Sequence, residues 1–153
     1  MTPAQRMHEL GLELPAASTP VGVYRPARRC GDLIFTSGQL PIRSGQLTAK
    51  GKVPQDVPLE AARAAARLTT LNALAAAAQC AGGIDALSGV VRVGVFVNSS
   101  PGFVDQPQVA NGASELLVQI FGDDGQHARA AVGVAELPLD ACVEIELLVT
   151  AAL

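Results

Sequence analysis

The sequence predicts an α+β layer, a sheet with two helices packed on one of its faces, and three observations predict it. Apolar residues alternate with period two along Leu87 to Asn98 and along the last apolar run, Cys142 to Val149, as half-buried strands do. Two other segments, Leu59 to Ala81 and Pro107 to Phe121, repeat their apolar residues at helical spacing instead. Strands, helix, strand, helix and strands follow in that order, which is the order of helices layered on a sheet.

The chain opens on Thr2-Pro3, an N-cap hydroxyl followed by proline at the first helical position. A short helix is predicted from Pro3 to about Leu10, stopped by Gly11, with Met7, Leu10 and Leu14 as its docking stripe. Pro15 to Pro20 reads as a linker. Val21 to Cys30 reads as an edge strand, because Pro26 lacks the N–H that a central ladder needs. Gly31-Asp32 then turns the chain into LIFTSGQLPI, where Ser37-Gly38 marks a bulge or a close backbone approach. Arg43-Ser44-Gly45-Gln46 is turn chemistry, and Leu47 to Val53 is a short irregular or strand segment.

Leu59 to Ala81 is rich in alanine, the strongest helix former, with Pro58 before its first turn and Gly82-Gly83 as its stop. Leu68, Leu71, Leu74 and Ala78 share one side of it, Arg63 and Arg67 another. In Leu87 to Asn98 the alternation puts Val91, Val93, Val95 and Val97 on one face and Val90, Arg92, Gly94 and Phe96 on the other. Ser99-Ser100-Pro101-Gly102 turns into the second long helix, whose stripe is Val109, Ala113, Leu116 and Ile120, with Asn111 and Glu115 opposite.

Gln126 to Leu153 holds two apolar runs around Leu137-Pro138-Leu139-Asp140, and reads as a hairpin of an antiparallel sheet. Val143, Ile145, Leu147 and Val149 point one way, and Cys142, Glu144, Glu146 and Leu148 the other. Arg129, Glu144 and Glu146 lie inside these strands. Charges there are costly to bury unless they are paired or used, so they are the first candidates for chemistry.

Composition narrows the classes. At 153 residues the chain suits one domain, 1–153, with 1–20 as an N-terminal helical extension. Only 16% of residues are charged against 49% hydrophobic, which favours an assembly that hides apolar faces. A net charge of −3 and a pI near 5.3 argue against a nucleic-acid footprint. Cys30, Cys80 and Cys142 are an odd number without metal spacing and read as reduced thiols of a cytoplasmic protein. The N-terminal fifteen residues are no signal peptide, and Leu59 to Ala81 carries too many polar groups to span a membrane. His8 and His127 have no HxxxH or HExxH companion, so no metal site is expected, and no nucleophile elbow or phosphate loop is present.

Taken singly, each candidate residue has a bland reading. An arginine in a strand is more often an edge charge or half of an ion pair than a carboxylate clamp. Glu144 and Glu146 would serve as a solvated strand face, Tyr24 as an edge aromatic, Ser37-Gly38 as a turn, and Asn111 as helix surface. The ordered set decides otherwise. The pieces VGVYRPA, LIFTSGQLPI, VRVGVFVNSSPGF, QVANGASELL and HARAAVGVAELP…VEIE, running from about Val21 to the C-terminus, resemble the Rid (reactive intermediate deaminase) family. That family is also called YjgF-type and labelled endoribonuclease L-PSP-like, and the N-terminal twenty residues look like a longer-chain subgroup of it.

The resemblance implies a chorismate-mutase-like α+β fold with a mostly antiparallel sheet, assembled as a homotrimer with clefts between subunits. It implies hydrolysis of imines and enamines of the 2-aminoacrylate and 2-iminopropanoate type to 2-keto acids and ammonia, with no metal or organic cofactor. Arg129 matches the family's carboxylate-binding arginine and Glu144 its water-orienting glutamate. Tyr24, Ser37, Gly38 and Asn111 match its other substrate-binding positions. Ala130, Ala131 and Ser114 depart from residues common in the family, and these departures bear on pocket shape. Arginine suits the clamp because its planar fork meets a carboxylate with two parallel N–H···O bonds. Glu144 would hold and partly deprotonate the attacking water, and Glu146 would be structural. The terminal strands would supply half a site, the rest, including Tyr24 or Asn111, coming from a neighbouring chain. The partners expected are a carboxylate-bearing imine or keto acid and further copies of the chain, with no nucleic acid and no membrane. The alternative reading is a non-catalytic module that holds a small carboxylate metabolite, or acts as a chaperone-like surface, through the same cleft. A third is a hydrolase dedicated to a different imine.

Overall fold

The computed structural model of the chain describes residues 1–20 and 22–153. Helix α1 (Pro3–Glu9) is closed by a capping box in which the Thr2 hydroxyl accepts from the Gln5 N–H while the Gln5 side chain accepts from the Thr2 N–H. Met7 anchors it, buried against the body, whereas Leu10 is 40% exposed and stays outside the core. Strand β1 (Ala27–Cys30) begins after Pro26, so the predicted edge strand is shorter than expected; residues 22–26 form no strand, and Val21 lies outside the described residues. β1 pairs antiparallel with β2 (Leu33–Thr36). The turn chemistry at residues 43–46 closes a small hairpin of β3 (Ile42–Arg43) and β4 (Gln46–Leu47), with Ser44 at φ 52° and Gly45 at φ 79°, both left-handed as a two-residue hairpin turn demands.

Helix α2 (Leu59–Ala81) has the predicted bounds and ends on Gly82 in the left-handed conformation at φ 96°. Leu68, Leu71, Leu74 and Ala78 are all buried. Strand β5 (Leu87–Asn98) leads through α3 (Gln106–Phe121) to β6 (Ala128–Val134), and β7 (Val143–Ala151) closes the chain. The sheet runs β1-β2-β7-β5-β6. α2 and α3 pack on each other and on one face of it, and α1 packs on α3, so three α-helices rather than two make the helical layer. Val109, Leu116, Leu117 and Ile120 of α3 have no exposed surface, and burial of each stabilises the fold by about 1.5–3 kcal/mol.

Two expectations about the strands are corrected. β6 and β7 do not form a hairpin: β5 lies between them, parallel to β6 and antiparallel to β7. α3 is the crossover that parallel pairing of β5 and β6 requires, which leaves β7 to return on the other side of β5. The alternation in β5 also breaks. The register slips between Val90 and Arg92, so Val90 is buried at 6% while Val91, expected beside Val93, is 39% exposed. Beyond the slip, Val93, Val95 and Val97 face the helices, and Arg92, Gly94 and Phe96 share the open face with Leu148, Glu146 and Glu144.

Candidate active site

The residues singled out from sequence form two groups on opposite sides of the sheet. The first stands on the outer edge, where β6 meets α3. Arg129 pairs in register with Val93, which in turn pairs with Leu147, so its side chain leaves the sheet on the helix side. The apolar stripe of α3 turns Asn111 and Ser114, one helical turn apart, toward that edge. Arg129 Nη1 donates to Asn111 Oδ1 at 2.9 Å and to Ser114 Oγ at 3.1 Å. Ser114 Oγ is 2.9 Å from His127 Nε2, and His127 Nδ1 is 2.6 Å from the Gly125 carbonyl oxygen. A carbonyl only accepts, so Nδ1 carries a proton, and in the neutral ring Nε2 then accepts from the Ser114 hydroxyl.

This arrangement uses both hydrogens of Arg129 Nη1 and leaves the edge formed by Nε–H and Nη2–H. Among the described residues that edge has no hydrogen-bond acceptor and Arg129 has no carboxylate within ion-pair distance. The contrast with other arginines is direct: Arg63 meets Glu60 and Glu115, and Arg92 meets Glu146. Ser114 and His127 also resemble a nucleophile beside its base. Ser114 lies inside α3, however, where backbone N–H groups are committed to the helix ladder and cannot serve as oxyanion donors.

The second group lies on the open face. Glu144 pairs in register with Phe96 and is half-buried there. Burial raises its carboxyl above the usual carboxylate range, and the nearby Glu146 charge adds to the rise. The chain beside it is interrupted. Phe35 pairs with Leu148 and Gln39 bridges Ile145, with three residues between on one strand against two on the other, so Ser37-Gly38 bulge out of the ladder. Buried Thr36 compensates, its Oγ1 accepting the Leu147 N–H at 2.9 Å. The Ser37 hydroxyl donates to the Arg25 carbonyl at 2.6 Å. The close approach expected at Gly38 is made by Glu144: a Cβ on Gly38 would sit 2.8 Å from Glu144 Cδ. Tyr24 is 56% exposed in the bent segment 22–26.

A single chain therefore does not unite Arg129 with Glu144, whose side chains leave opposite faces of the sheet. Asn111 bonds Arg129 within the same chain. The sequence does not single out His127, a lone histidine without metal spacing; Asn111 and Ser114 at i and i+3 mark only the helix face that it meets. Among the described residues no group of three His, Cys, Asp or Glu could hold a metal ion. Cys142 is buried, with its thiol pushed up to about 11 by desolvation, and stays protonated. No helix among the described residues is long and apolar enough to cross a membrane.

Comparison with known proteins supplies the remaining context. A family model described as YjgF/chorismate-mutase-like, with endoribonuclease as its suggested activity, matches residues 4–151. Protein TCP17 of Trypanosoma cruzi is 40% identical over 147 residues, covering 95% of this chain and 92% of that one. A 2-iminobutanoate/2-iminopropanoate deaminase of Dermatophagoides farinae is 31% identical over 140 residues, 90% of this chain and 93% of that protein. The crystal structure of Atu1372 from Agrobacterium tumefaciens, a protein of unknown function, matches with a TM-score of 0.89 at 40% identity, covering 99% of this chain and 93% of that one.

Proposed function

The chain belongs to the YjgF/RutC/Rid family, and from that premise we propose that it hydrolyses 2-imino acids to 2-keto acids and ammonia in a site shared by two copies of itself. The observation that carries the reading is the state of Arg129: pinned through Nη1 by two neutral oxygens, with no acidic partner and no acceptor on its Nε/Nη2 edge among the described residues. Such an edge meets a carboxylate through two parallel N–H···O bonds. Glu144 on the facing copy supplies the base, with Gly38 leaving room for its carboxylate and Ser37 and Tyr24 bounding the cleft. The assembly is a homotrimer, in which exposed Phe35, Val91 and Val132 are covered.

The chemistry needs little more than orientation. With the carboxylate held, the imine carbon sits beside a water, and holding reactants in place lowers the barrier substantially. Glu144 takes a proton from that water as its oxygen bonds to the carbon and the imine nitrogen takes up a proton. Glu144 passes its proton on to that nitrogen, the C–N bond breaks with ammonia leaving, and the hydroxyl gives up its proton to solvent as the carbon becomes the keto carbonyl. A raised carboxyl pKa makes Glu144 a stronger base than an ordinary carboxylate. The test is release of ammonia and keto acid from 2-iminopropanoate generated in situ, with Arg129→Ala as the control. Undiminished turnover in that variant would reject the reading. Binding of 2-oxobutanoate without turnover would identify a carboxylate-binding module instead.

A further inference from the structure

We infer that Ser114 and His127 are positioning residues that aim the carboxylate-binding edge of Arg129, an inference that rests on the function proposed above. Gly125 lies at the end of the turn before β6 and its carbonyl fixes the His127 tautomer from 2.6 Å. That tautomer leaves Nε2 as an acceptor, so the Ser114 hydroxyl must donate to it at 2.9 Å. The Ser114 lone pair then faces Arg129 Nη1 at 3.1 Å and accepts from it. Hydrogen bonds point one way from guanidinium to hydroxyl to imidazole to carbonyl, and no member can turn without breaking its neighbour's bond.

Asn111 alone would leave the second Nη1 hydrogen to swing, and the guanidinium would rotate about its bond to the Oδ1 at 2.9 Å. With Ser114 in place both hydrogens are held, the guanidinium plane is set, and Nε and Nη2 meet the carboxylate together. The relay touches neither the reacting carbon nor the water. Its loss therefore weakens binding of the carboxylate and spares the chemical step.

The experiment measures 2-oxobutanoate binding and KM against kcat for the full chain with Ser114→Ala, Ser114→Thr, His127→Phe and Arg129→Ala. Loss of one neutral hydrogen bond predicts roughly three- to tenfold weaker binding and a matching rise in KM for Ser114→Ala and His127→Phe, with kcat kept. The double variant should be no worse than Ser114→Ala, and Ser114→Thr, which keeps the hydroxyl, should restore the affinity. Imidazole nitrogen shifts should show His127 protonated at Nδ1 in the wild type. Wild-type affinity in Ser114→Ala alongside loss in Arg129→Ala would overturn the relay while leaving the clamp standing. Wild-type affinity in Arg129→Ala would overturn both, and the imidazole shifts would still tell whether the hydrogen-bond chain exists.

Discussion

The carboxyl of Glu144 lies directly over the α-carbon of Gly38, so close that a Cβ there would stand 2.8 Å from Cδ and 3.1 Å from Oε2. The bulge at Ser37-Gly38 thus has a purpose that its own backbone does not reveal: it brings a residue without a side chain beneath the proposed base. Gly38→Ala should push Glu144 off its rotamer, which costs about 0.5–1.5 kcal/mol. Because a displaced base loses its line to the water, imine turnover should fall about tenfold or more while the melting temperature changes little. Ammonia release beside thermal unfolding checks both halves.

The bulge shows what could be read in one dimension. Gly38 was legible as a close approach, because glycine at the end of an apolar run has few other uses, but its neighbour was not. The bounds of α2 and β5 followed from helical and alternating spacing. The slip between Val90 and Arg92 did not, since a bulge inserts one residue without any change of composition. The expected pairing of the last two strands failed for a related reason. Two adjacent apolar runs read as a hairpin unless the βαβ unit that captures the first is recognised. Ser114 and His127, thirteen residues apart, meet only because α3 lies along β6, and no local pattern records that.

Glu144 also makes a prediction about pH. Burial first, and the Glu146 charge second, raise its carboxyl above the usual range. The folded state therefore holds this proton more tightly than the unfolded chain does. Its contribution favours the fold below the unfolded value and is lost as pH rises through the folded value. The proposed activity runs the other way, because the base it assigns to Glu144 must be ionised. The acidic limb of kcat/KM should have a midpoint above the usual carboxylate range, and Glu146→Gln should lower that midpoint only in part, since burial remains. A limb that Glu146→Gln leaves unmoved would remove the coupling between the two acids.

The approach of α2 to α3 depends on Gly112, where an added Cβ would run into the Arg63 carbonyl oxygen. Gly112→Ala gains helix propensity of about 0.5–1 kcal/mol. It also forces two backbones apart, and overpacking of that kind costs typically about 1–3 kcal/mol. The net effect should be destabilisation, read from urea unfolding. Removing the Arg63–Glu115 ion pair by Glu115→Ala should cost less, since exposed pairs contribute about 0–1 kcal/mol. Equal stability of Gly112→Ala and the wild type would mean that the helices separate freely.

The separation of Arg129 and Glu144 onto opposite faces of the sheet leads to a test that needs no structure of the assembly. If each site takes its arginine from one copy and its glutamate from another, Arg129→Ala and Glu144→Gln chains repair one another when co-assembled. In an equal random mixture half the arginine positions and half the glutamate positions are intact, so about one site in four has both, whatever the number of subunits in the ring. Unfolding and refolding the two inactive variants together should recover about a quarter of wild-type turnover, and each refolded alone should recover none. A site drawn from one chain predicts no recovery in the mixture. The mixing experiment therefore separates a shared site from a self-contained one, even when both variants are fully inactive by themselves.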